Sequence, residues 1–374
     1  MKLGLTMIVK DEAHVIGRCL DSVFSTGIID YFAIVDTGSS DNTVSIIEEK
    51  AKQYNVQGVV ITKSFTDFSE CRNLALDGIR GACDWAFWID ADEVLVNKSK
   101  NLKASLGFYY ELNEYAWVEA NQDSLSFYRT NLFRITENTK WKGKVHEFVT
   151  LSDYGVPASF IEMSIDVFSE GNSWKNEKQK FVRYAKLLLE QIELEPEEPR
   201  WYYFLADTYR NMKTVEFDKK AIEWYQKRIS MLDGNEEEIY VSRLMVASLK
   251  KKVYRIFDYK TLSDCSSNTR VEHLLAAAAF KMEEGKMNDA HAMLGIAMKS
   301  VGRRPEASLF VDLKTYYFRV PFFMAIVCCN TEKKEEAENA IKICESAIAY
   351  ASETEKHQLV QIKDYLGMNN YLKN

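Results

Sequence analysis

Short apolar runs alternate with helical patterns through the first half of the chain, and this alternation is the strongest constraint on its fold. The strand-like runs are Leu3 to Val9, Tyr31 to Val35, Val59 to Ile61 and Trp85 to Ile89. Between them, apolar residues recur at three-and-four spacing, as from Glu12 to Phe24, which predicts amphipathic helices. Strands that alternate with helices are typical of βα units. The sequence therefore predicts an α/β domain with a largely parallel sheet.

Polar clusters follow each of these four predicted strands. They are Lys10-Asp11-Glu12, Asp36-Thr37-Gly38-Ser39, Lys63 through Arg72-Asn73, and Asp90-Ala91-Asp92-Glu93. Each cluster alone has an ordinary interpretation as a turn or a solvated helix surface. In open α/β sheets, however, ligands bind at the carboxyl ends of the strands. Four such clusters at successive strand ends therefore predict a binding site at that edge.

The fourth cluster is the richest in acids, and it follows a buried apolar run directly. On an extended backbone the side chains of Asp90 and Asp92 are expected to point to the same side. Two carboxylates placed in this way can hold a hard divalent cation that bridges the diphosphate of a nucleotide-activated donor. The alternative is a strand end followed by a solvated acidic turn. The neighbouring clusters favour the cation site.

Composition excludes several classes of protein. The chain has 374 residues, which favours two domains, and its formal net charge of -7 argues against a nucleic-acid surface. Seven cysteines without CxxC spacing argue against a disulfide framework or a zinc site. The sequence contains neither the apolar core of a signal peptide nor a run long enough to span a membrane. We expect a soluble, cytoplasmic protein.

The second half of the chain is almost wholly helical after two prolines, Pro196 and Pro199. Three segments resemble tetratricopeptide units, with alanines where paired helices must approach closely: Pro199 to Tyr225, His273 to Met298 and Thr315 to Tyr350. A helical bundle without a repeat is the alternative. The predicted domains are residues 1–170 for the α/β domain, residues 171–198 for a connecting helix and linker, and residues 199–374 for the helical domain. Helical arrays often bind peptides or partner subunits on their concave faces.

The motifs of the first half, taken together, resemble the family 2 inverting glycosyltransferases of the GT-A fold. The resemblance rests on these segments: Thr6 to Glu12, Val35 to Thr43, Phe68 to Leu76, Trp88 to Glu93, Asn131 to Arg134 and Trp141 to Glu147. The whole chain is similar to the branch in which such a domain is joined to tetratricopeptide-like helices. That branch includes bacterial peptide S-glycosyltransferases.

The resemblance implies roles for individual residues. Glu12 and Asp36 are expected to contact the uridine of a UDP-sugar, and Arg72 and Lys10 to face the nucleotide or its phosphates. Asp90 and Asp92 would be the D-x-D pair that binds Mn²⁺ or Mg²⁺, with Asp92 as the stronger ligand. The expected cofactor-binding residues are thus Lys10, Glu12, Asp36, Arg72, Asp90 and Ala91. One departure concerns Thr37, which stands where this family often has a second acid.

Inverting transfer needs a base to deprotonate the acceptor, unless the acceptor is already a thiolate. Glu147 is the predicted base. His146 is predicted to be a third metal ligand or a diphosphate contact, since neutral imidazole binds Mn²⁺. Glu93 is expected to support the acceptor side, and Arg129 is a candidate for binding sugar hydroxyls. The predicted catalytic residues are thus Glu147, His146 and Asp92.

The leading hypothesis is a metal-dependent transferase that moves a sugar from UDP-glucose or UDP-GlcNAc to a peptide, protein or glycan acceptor, with a homodimer through the helical domain as a further possibility. A second hypothesis is a catalytically inactive scaffold that binds a nucleotide sugar and acts through its helical repeats. A third is a nucleotidyltransferase on a similar sheet. The third class usually has a glycine-rich basic loop after strand one, where this chain has Lys10-Asp11-Glu12.

Overall fold

The computed structural model describes residues 1–151, 158–172, 175–231, 233–265, 269–305 and 309–368. The chain divides into two compact units. The first comprises residues 1–122 and 127–197, and the second comprises residues 123–126 and 198–374. Of the segment 171–198, which the sequence predicts to be a connection, residues 171–197 therefore belong to the first unit.

A mixed β-sheet forms the centre of the first unit. The strands are β1 (Leu3–Val9), β2 (Tyr31–Asp36), β3 (Gln57–Thr62), β4 (Trp85–Trp88), β5 (Glu93–Asn97), β6 (Tyr115–Gln122), β7 (Leu125–Arg134), β8 (Lys140–Lys142), β9 (Phe148–Thr150) and β10 (Ala158–Val167). The main sheet has the order β3-β2-β1-β4-β7-β6-β10-β5. β1 pairs in parallel with β2 and β4, and β2 with β3, whereas β7 runs antiparallel to β4. The predicted parallel βα units are therefore confirmed.

Helices with buried apolar faces pack against the strands of this sheet, namely α1 (Ile16–Phe24), α2 (Thr43–Tyr54), α3 (Phe68–Ile79) and α4 (Leu102–Leu112). Helix α5 (Glu177–Leu194) follows β10. The bounds predicted for β1, Leu3 to Val9, are confirmed. The helix predicted from Glu12 begins at Ile16 instead, because Glu12 and the residues after it form a turn.

The acidic cluster lies on a turn, so the expectation of an extended backbone there is wrong. β4 ends at Trp88, and residues 89–92 connect it to β5. The turn is closed by a hydrogen bond of 3.1 Å from the Glu93 N–H to the Asp90 carbonyl oxygen. In addition, the Asp90 N–H donates to the Glu93 carboxylate at 3.0 Å, and the buried Cys19 thiol donates to the Asp90 carbonyl oxygen at 3.3 Å. The turn, rather than a strand register, fixes the two aspartates.

The second unit is helical, as predicted. Its elements are α6 (Pro199–Asn211), α7 (Val215–Ser230), α8 (Glu236–Tyr254), α9 (Tyr259–Ser263), α10 (Glu272–Glu283), α11 (Met287–Ala297), a short strand β11 (Val311–Asp312), α12 (Val320–Asn330), α13 (Lys334–Ser346) and α14 (Glu353–Leu366). Helices α6 and α7, α10 and α11, and α12 and α13 pack as pairs. Ala221, Ala290 and Ala340 are buried, as expected where two helices approach closely. The tetratricopeptide character of these pairs stays a prediction.

Each of the seven cysteines lies in a described segment and is a free thiol. Within the described residues, the helices lack the combination of length and apolar composition that crossing a membrane requires.

Gly78 allows helix α3 to approach the sheet closely. A Cβ atom at Gly78 would lie 2.7 Å from the Cβ of Ala33 in β2. Replacing glycine by alanine inside a helix ordinarily stabilises by up to about 1 kcal/mol, but overpacking costs about 1–3 kcal/mol. Gly78→Ala is therefore expected to lower the free energy of unfolding, measured by urea denaturation.

Gly107→Ala is the matched control, because a Cβ atom at this position in α4 meets no atom within 4 Å. We expect it to be neutral or stabilising. Equal effects of the two substitutions would contradict a close approach of α3 to the sheet.

Candidate active site

Arg72 lies at the centre of the site predicted from the sequence. Helix α3 begins after Asp67, whose carboxylate caps it by accepting the Glu70 N–H at 2.8 Å. One turn into the helix, the Arg72 side chain is buried. Its Nε donates to Glu147 Oε1 at 2.6 Å, and its Nη2 donates to Asp90 Oδ1 at 2.9 Å. The structure therefore brings Arg72, Asp90 and Glu147 into direct contact, and Arg72 binds two acids of the protein itself.

Two tryptophans surround the Arg72 guanidinium. Its Cζ atom lies 4.3 Å from the ring centroid of Trp88 and 5.1 Å from that of Trp141. A guanidinium over an aromatic face is stabilised by the ring quadrupole, more so when desolvated. The buried amide of Asn131 donates to the Trp88 carbonyl oxygen at 2.8 Å and so fixes the end of β4. These rings restrict the guanidinium to the orientation in which it faces both acids.

Asn73, the neighbour of Arg72, holds the segment that carries Glu147. Its Nδ2 donates to the Trp141 carbonyl oxygen at 2.9 Å, and its Oδ1 accepts the Trp141 N–H at 2.7 Å. The Phe68 N–H donates to the Lys144 carbonyl oxygen at 3.1 Å. The motif around Arg72 and the motif around Glu147 thus form one connected structure, although they are about seventy residues apart.

Glu93 and Arg129 form a second ion pair beside the first. The two guanidinium nitrogens of Arg129 donate to the two carboxylate oxygens of Glu93 at 2.8 and 2.9 Å. The Arg129 guanidinium also lies 4.8 Å from the Trp88 ring centroid. Glu93 is buried, so its charge depends on this bidentate partner. Arg129, which the sequence suggested as a sugar contact, is thus engaged with the acidic turn.

Glu12 and Asp92 are held by two consecutive backbone N–H groups. The Gly171 N–H donates to Asp92 Oδ2 at 3.0 Å, and the Asn172 N–H donates to the two oxygens of Glu12 at 3.0 and 3.1 Å. A Cβ atom at Gly171 would lie 2.8 Å from Asp92 Oδ2, so only glycine fits without movement of the carboxylate. Glu170, the preceding residue, pairs with Arg18 at 2.8 Å. The segment after β10 therefore lies against the acids at the ends of β1 and β4.

The electrostatics of these acids follow from burial and from their mutual repulsion. Burial, with a smaller contribution from the Asp92 charge, raises the pKa of Glu12 to about 7. Burial and the nearby Asp90 charge raise the pKa of Asp92. Burial also opposes ionisation of Asp90, but the charges of Arg72 and Arg129 outweigh it and hold the pKa of Asp90 below its ordinary value. Such crowded acids favour a bound cation.

The remaining predicted residues are placed less directly. Asp36 is buried, and its carboxylate accepts the Ser39 N–H at 3.1 Å and the Ser39 hydroxyl at 2.5 Å, so it organises its own loop. The Thr37 hydroxyl donates to the Val9 carbonyl oxygen at 3.1 Å, a contact within the sheet. Lys10 is exposed at the end of β1, and Ala91 is buried in the acidic turn.

His146 adopts a left-handed backbone conformation, with φ of 53°. Its ring lies edge-on to the Tyr184 ring, at 5.7 Å between the centroids. Glu147, the next residue, is bound to Arg72. A left-handed backbone conformation is uncommon in residues other than glycine, and residues that adopt it are concentrated at functional sites.

Sequence reasoning missed the contribution of helix α5, which it treated as a connection. Lys180 and Tyr184 are one turn apart on this helix, and the Lys180 Nζ lies 5.7 Å from the Tyr184 ring centroid. The Lys180 charge interacts with Asp92 and Asp90, and burial lowers its pKa to about 8. A signal was present, because Lys180, Arg183 and Tyr184 recur at helical spacing. The sequence could not show that α5 approaches the acidic turn after β4.

Comparisons with known proteins identify the sequences and structures to which this chain is similar. Residues 5–145 match the family model described as glycosyl transferase family 2. The chain is 28% identical over 248 residues to SPbeta prophage-derived glycosyltransferase SunS of Bacillus subtilis, which covers 64% of this chain and 56% of that protein. It is 34% identical over 140 residues to an uncharacterized glycosyltransferase of Rickettsia felis, which covers 37% of this chain and 41% of that protein.

Among solved structures, the crystal structure of S. aureus TarS aligns with a TM-score of 0.38 and 14% identity, covering 69% of this chain and 55% of that chain. The chain spans about half the length of the curated SunS proteins that it matches.

Residues 5–145 are therefore a family 2 glycosyltransferase domain. The predicted fold class is confirmed, because a mixed α/β domain of the GT-A type is followed by a helical region. Glu12, Asp36, Arg72, Asp90 and Asp92 lie inside the matched range.

Loss of the Arg72 guanidinium should destabilise the first unit. Arg72→Met leaves Asp90 and Glu147 without their shared counter-charge, and breaking a buried ion pair costs about 3–5 kcal/mol. We expect a loss of unfolding free energy near the lower end of that range, since the Asp90 side chain is 41% exposed. Arg72→Lys should lose less stability than Arg72→Met, because lysine keeps the charge but lacks the forked guanidinium that binds both acids. Urea unfolding followed by tryptophan fluorescence measures the effect.

Arg18→Met is the control for this experiment. Its pair with Glu170 is exposed on both sides, and such surface pairs contribute about 0–1 kcal/mol. A stability loss for Arg72→Met no larger than that for Arg18→Met would contradict the central position of Arg72.

Glu12 should make stability depend on pH in metal-free buffer. Its ordinary pKa is 4.5, and burial raises the pKa of Glu12 to about 7 in the folded chain. The folded chain therefore retains a proton that the unfolded chain has already released. This contribution is fully present below pH 4.5 and is lost as the pH rises through 7. The unfolding free energy of the wild type minus that of Glu12→Gln should therefore decrease as the pH rises across that window, because only the wild type has to ionise a buried carboxyl group.

Exposed Glu111 provides the comparison, since Glu111→Gln should give a difference that stays nearly constant over the same range. An equally constant difference for Glu12→Gln would contradict a raised pKa of Glu12 in the folded chain.

Proposed function

We propose that this chain transfers a sugar from a UDP-sugar, UDP-glucose or UDP-GlcNAc, to a peptide, protein or glycan acceptor, with inversion and with Mn²⁺ or Mg²⁺. One observation carries the proposal: Asp90 and Asp92, with Glu12 beside them, gather at the carboxyl ends of β4 and β1 within a family 2 glycosyltransferase domain. This edge of an α/β sheet is where nucleotide ligands bind.

The donor atoms fit a hard divalent cation. Asp90 and Asp92 offer carboxylate oxygens, which Mn²⁺ and Mg²⁺ prefer, and a carboxylate can accept several bonds at once. The raised pKa of Asp92, caused by burial and by Asp90, indicates negative charge that a cation would relieve. When bound, the metal supplies Lewis-acid stabilisation of the departing diphosphate. Asp92 is the proposed principal ligand, with Asp90 and His146 as further ligands.

The other residues of the edge would bind and orient the nucleotide. Glu12 and Asp36 are the proposed contacts for uridine, because carboxylates accept hydrogen bonds from ribose hydroxyls and from the base. Asp36 lies in a loop that its own hydrogen bonds keep ordered, which supports a positioning role for the loop from Gly38 to Ser39. Lys10 and Ala91 are proposed to flank the nucleotide.

Glu147 is the proposed base for a hydroxyl acceptor. The Arg72 guanidinium, at 2.6 Å, holds this carboxylate in place beside the acidic turn. A thiol acceptor that ionises by itself would not need this base. Arg72 would then serve chiefly to position Glu147 and Asp90 relative to each other. The helical unit is proposed to present the acceptor, since paired helices often form peptide-binding surfaces.

Release of UDP from a panel of UDP-sugars with Mn²⁺ tests this proposal. We expect UDP release from one donor above the uncatalysed rate, abolished by a chelator, and an increase when the acceptor is added. Intact-mass measurement of candidate acceptors then identifies the linkage. Tight UDP binding without turnover on any donor would favour the inactive scaffold, and absence of UDP binding would contradict both readings of the site.

Asp92→Asn tests the metal assignment. Loss of one carboxylate charge should remove most of the Mn²⁺-dependent part of UDP affinity and abolish donor hydrolysis. The melting temperature in metal-free buffer should change little. Calorimetric titration of UDP with and without Mn²⁺ measures the effect.

Asp77→Asn serves as its control, because Asp77 forms a surface pair with Arg80 on the far part of α3 and is 63% exposed. Undiminished Mn²⁺-dependent binding by Asp92→Asn would remove Asp92 from the metal site.

A further inference from the structure

Three helices of the second unit meet at small buried residues. Ala290 of α11, Cys328 of α12 and Ala337 of α13 are fully buried members of one apolar core. Because these side chains are short, α11 packs closely against α12, and α12 packs closely against α13. His291 and Glu336 are the sequence neighbours of the two alanines. The packing of the alanines therefore brings these two polar side chains to the rim of the same core.

A nitrogen, a sulfur and an oxygen consequently lie close together. One ligand atom from each of His291, Cys328 and Glu336 lies within 4.8 Å of those from the other two. His291 Nε2 is 2.7 Å from Glu336 Oε2. In tetrahedral zinc sites, metal–ligand bonds of about 2.0–2.3 Å place the ligand atoms about 3.3–3.6 Å apart. Glu336 is 52% exposed, so its side chain can rotate to complete such an arrangement without disturbing the core.

The three types of donor atom select zinc over the harder cations. Thiolate and imidazole ligands suit zinc, whereas Mn²⁺ and Mg²⁺ prefer the carboxylate oxygens that the acidic edge of the first unit offers. Zinc also accepts a carboxylate oxygen, and with three protein ligands a water molecule would complete the tetrahedron. The sequence argued against a zinc site because it has no CxxC spacing. Ligands that come from three separate helices leave no such spacing.

A positive charge already lies beside these ligands. The Lys333 Nζ is 3.0 Å from His291 Nδ1 and 3.2 Å from His291 Nε2, and it is 4.0 Å from Glu336 Oε1. The Lys333 side chain is 37% exposed and has a flexible stem, so a metal ion can displace its ammonium group towards solvent. The position that now accommodates an ammonium group is therefore suited to a divalent cation.

We propose that His291, Cys328 and Glu336 bind a zinc ion that joins α11 to α12 and α13. This site lies outside the glycosyltransferase domain, and the inference does not depend on the proposed function. On binding, the Cys328 thiol would release its proton to solvent and form the sulfur–zinc bond as a thiolate. Because the ligands belong to three helices, a zinc ion that binds only the folded chain would stabilise their packing.

Cobalt titration of the full chain, prepared in reduced and metal-free form, tests this inference. A thiolate bound to Co²⁺ gives a charge-transfer absorption, whereas carboxylate and water ligands do not, so cobalt bound only by the acidic edge is not detected. We expect an absorption that saturates at a single Co²⁺ per chain and is abolished by Zn²⁺. Cys328→Ala should lose the absorption. Cys329→Ala, which removes the neighbouring thiol, is the matched control and should retain it.

Glu336→Gln provides a second test that does not alter the core, because Glu336 is exposed. Loss of a residue that only supports a metal ligand weakens metal binding by about 10- to 100-fold, so loss of a ligand should weaken zinc binding at least as much. Exposed Glu335 is its control, and Glu335→Gln should bind zinc as the wild type does. Lys333→Met should bind zinc more tightly than the wild type, because it lacks the competing ammonium group. Competition of Zn²⁺ with the cobalt absorption measures these affinities.

Zinc should also raise the melting temperature of the wild type more than that of Glu336→Gln. Absence of the cobalt absorption in the wild type would overturn the inference. Retention of the absorption in Cys328→Ala would overturn it as well, and so would equal zinc affinities of Glu336→Gln and Glu335→Gln. If Cys328→Ala fails to fold, the comparison of Glu336→Gln with Glu335→Gln decides.

Discussion

A single buried guanidinium, that of Arg72, determines how the site is assembled. It connects helix α3 to the turn after β4 through Asp90 and to the segment before β9 through Glu147. Trp88 and Trp141 pack against it, and Asn73 fixes the backbone at Trp141. Arg72 and Glu147 are both largely shielded from solvent, so Glu147 without the arginine would be an uncompensated charge, whereas the more exposed Asp90 would lose its direct partner at a smaller cost. The geometry of the acids therefore depends on α3 remaining close to the sheet.

The charges left after this pairing explain why the edge suits a cation and a phosphate together. Arg72 pairs with Asp90 and Glu147, and Arg129 pairs with Glu93, whereas Asp92 and Glu12 accept backbone N–H donors from Gly171 and Asn172. Burial raises the pKa of both groups, because it disfavours their ionised forms. A divalent cation at this edge would favour the ionised forms of both acids. The same arrangement would attract a diphosphate only when the cation is present.

Much of this could be predicted from the sequence, because local patterns determine β1, α3 and the polar ends of β1 to β4. The bounds of α3 follow from its capping Asp67 and its apolar spacing. The geometry predicted for Asp90 and Asp92 was wrong, because they lie in a turn among the four residues between β4 and β5, where period-two alternation does not apply. The Arg72 pairs and the approach of Lys180 could not be predicted, because they join residues far apart in sequence. Spacing along the chain contains no information about such contacts.

The most direct test of the account is anomalous diffraction from crystals of the full chain grown with UDP and Mn²⁺. The account predicts one manganese peak bound by Asp92 and the UDP phosphates, with Asp90 still paired to Arg72. UDP bound at the ends of β1 and β4 with manganese elsewhere would contradict the metal assignment. UDP bound away from this edge would contradict the site as a whole.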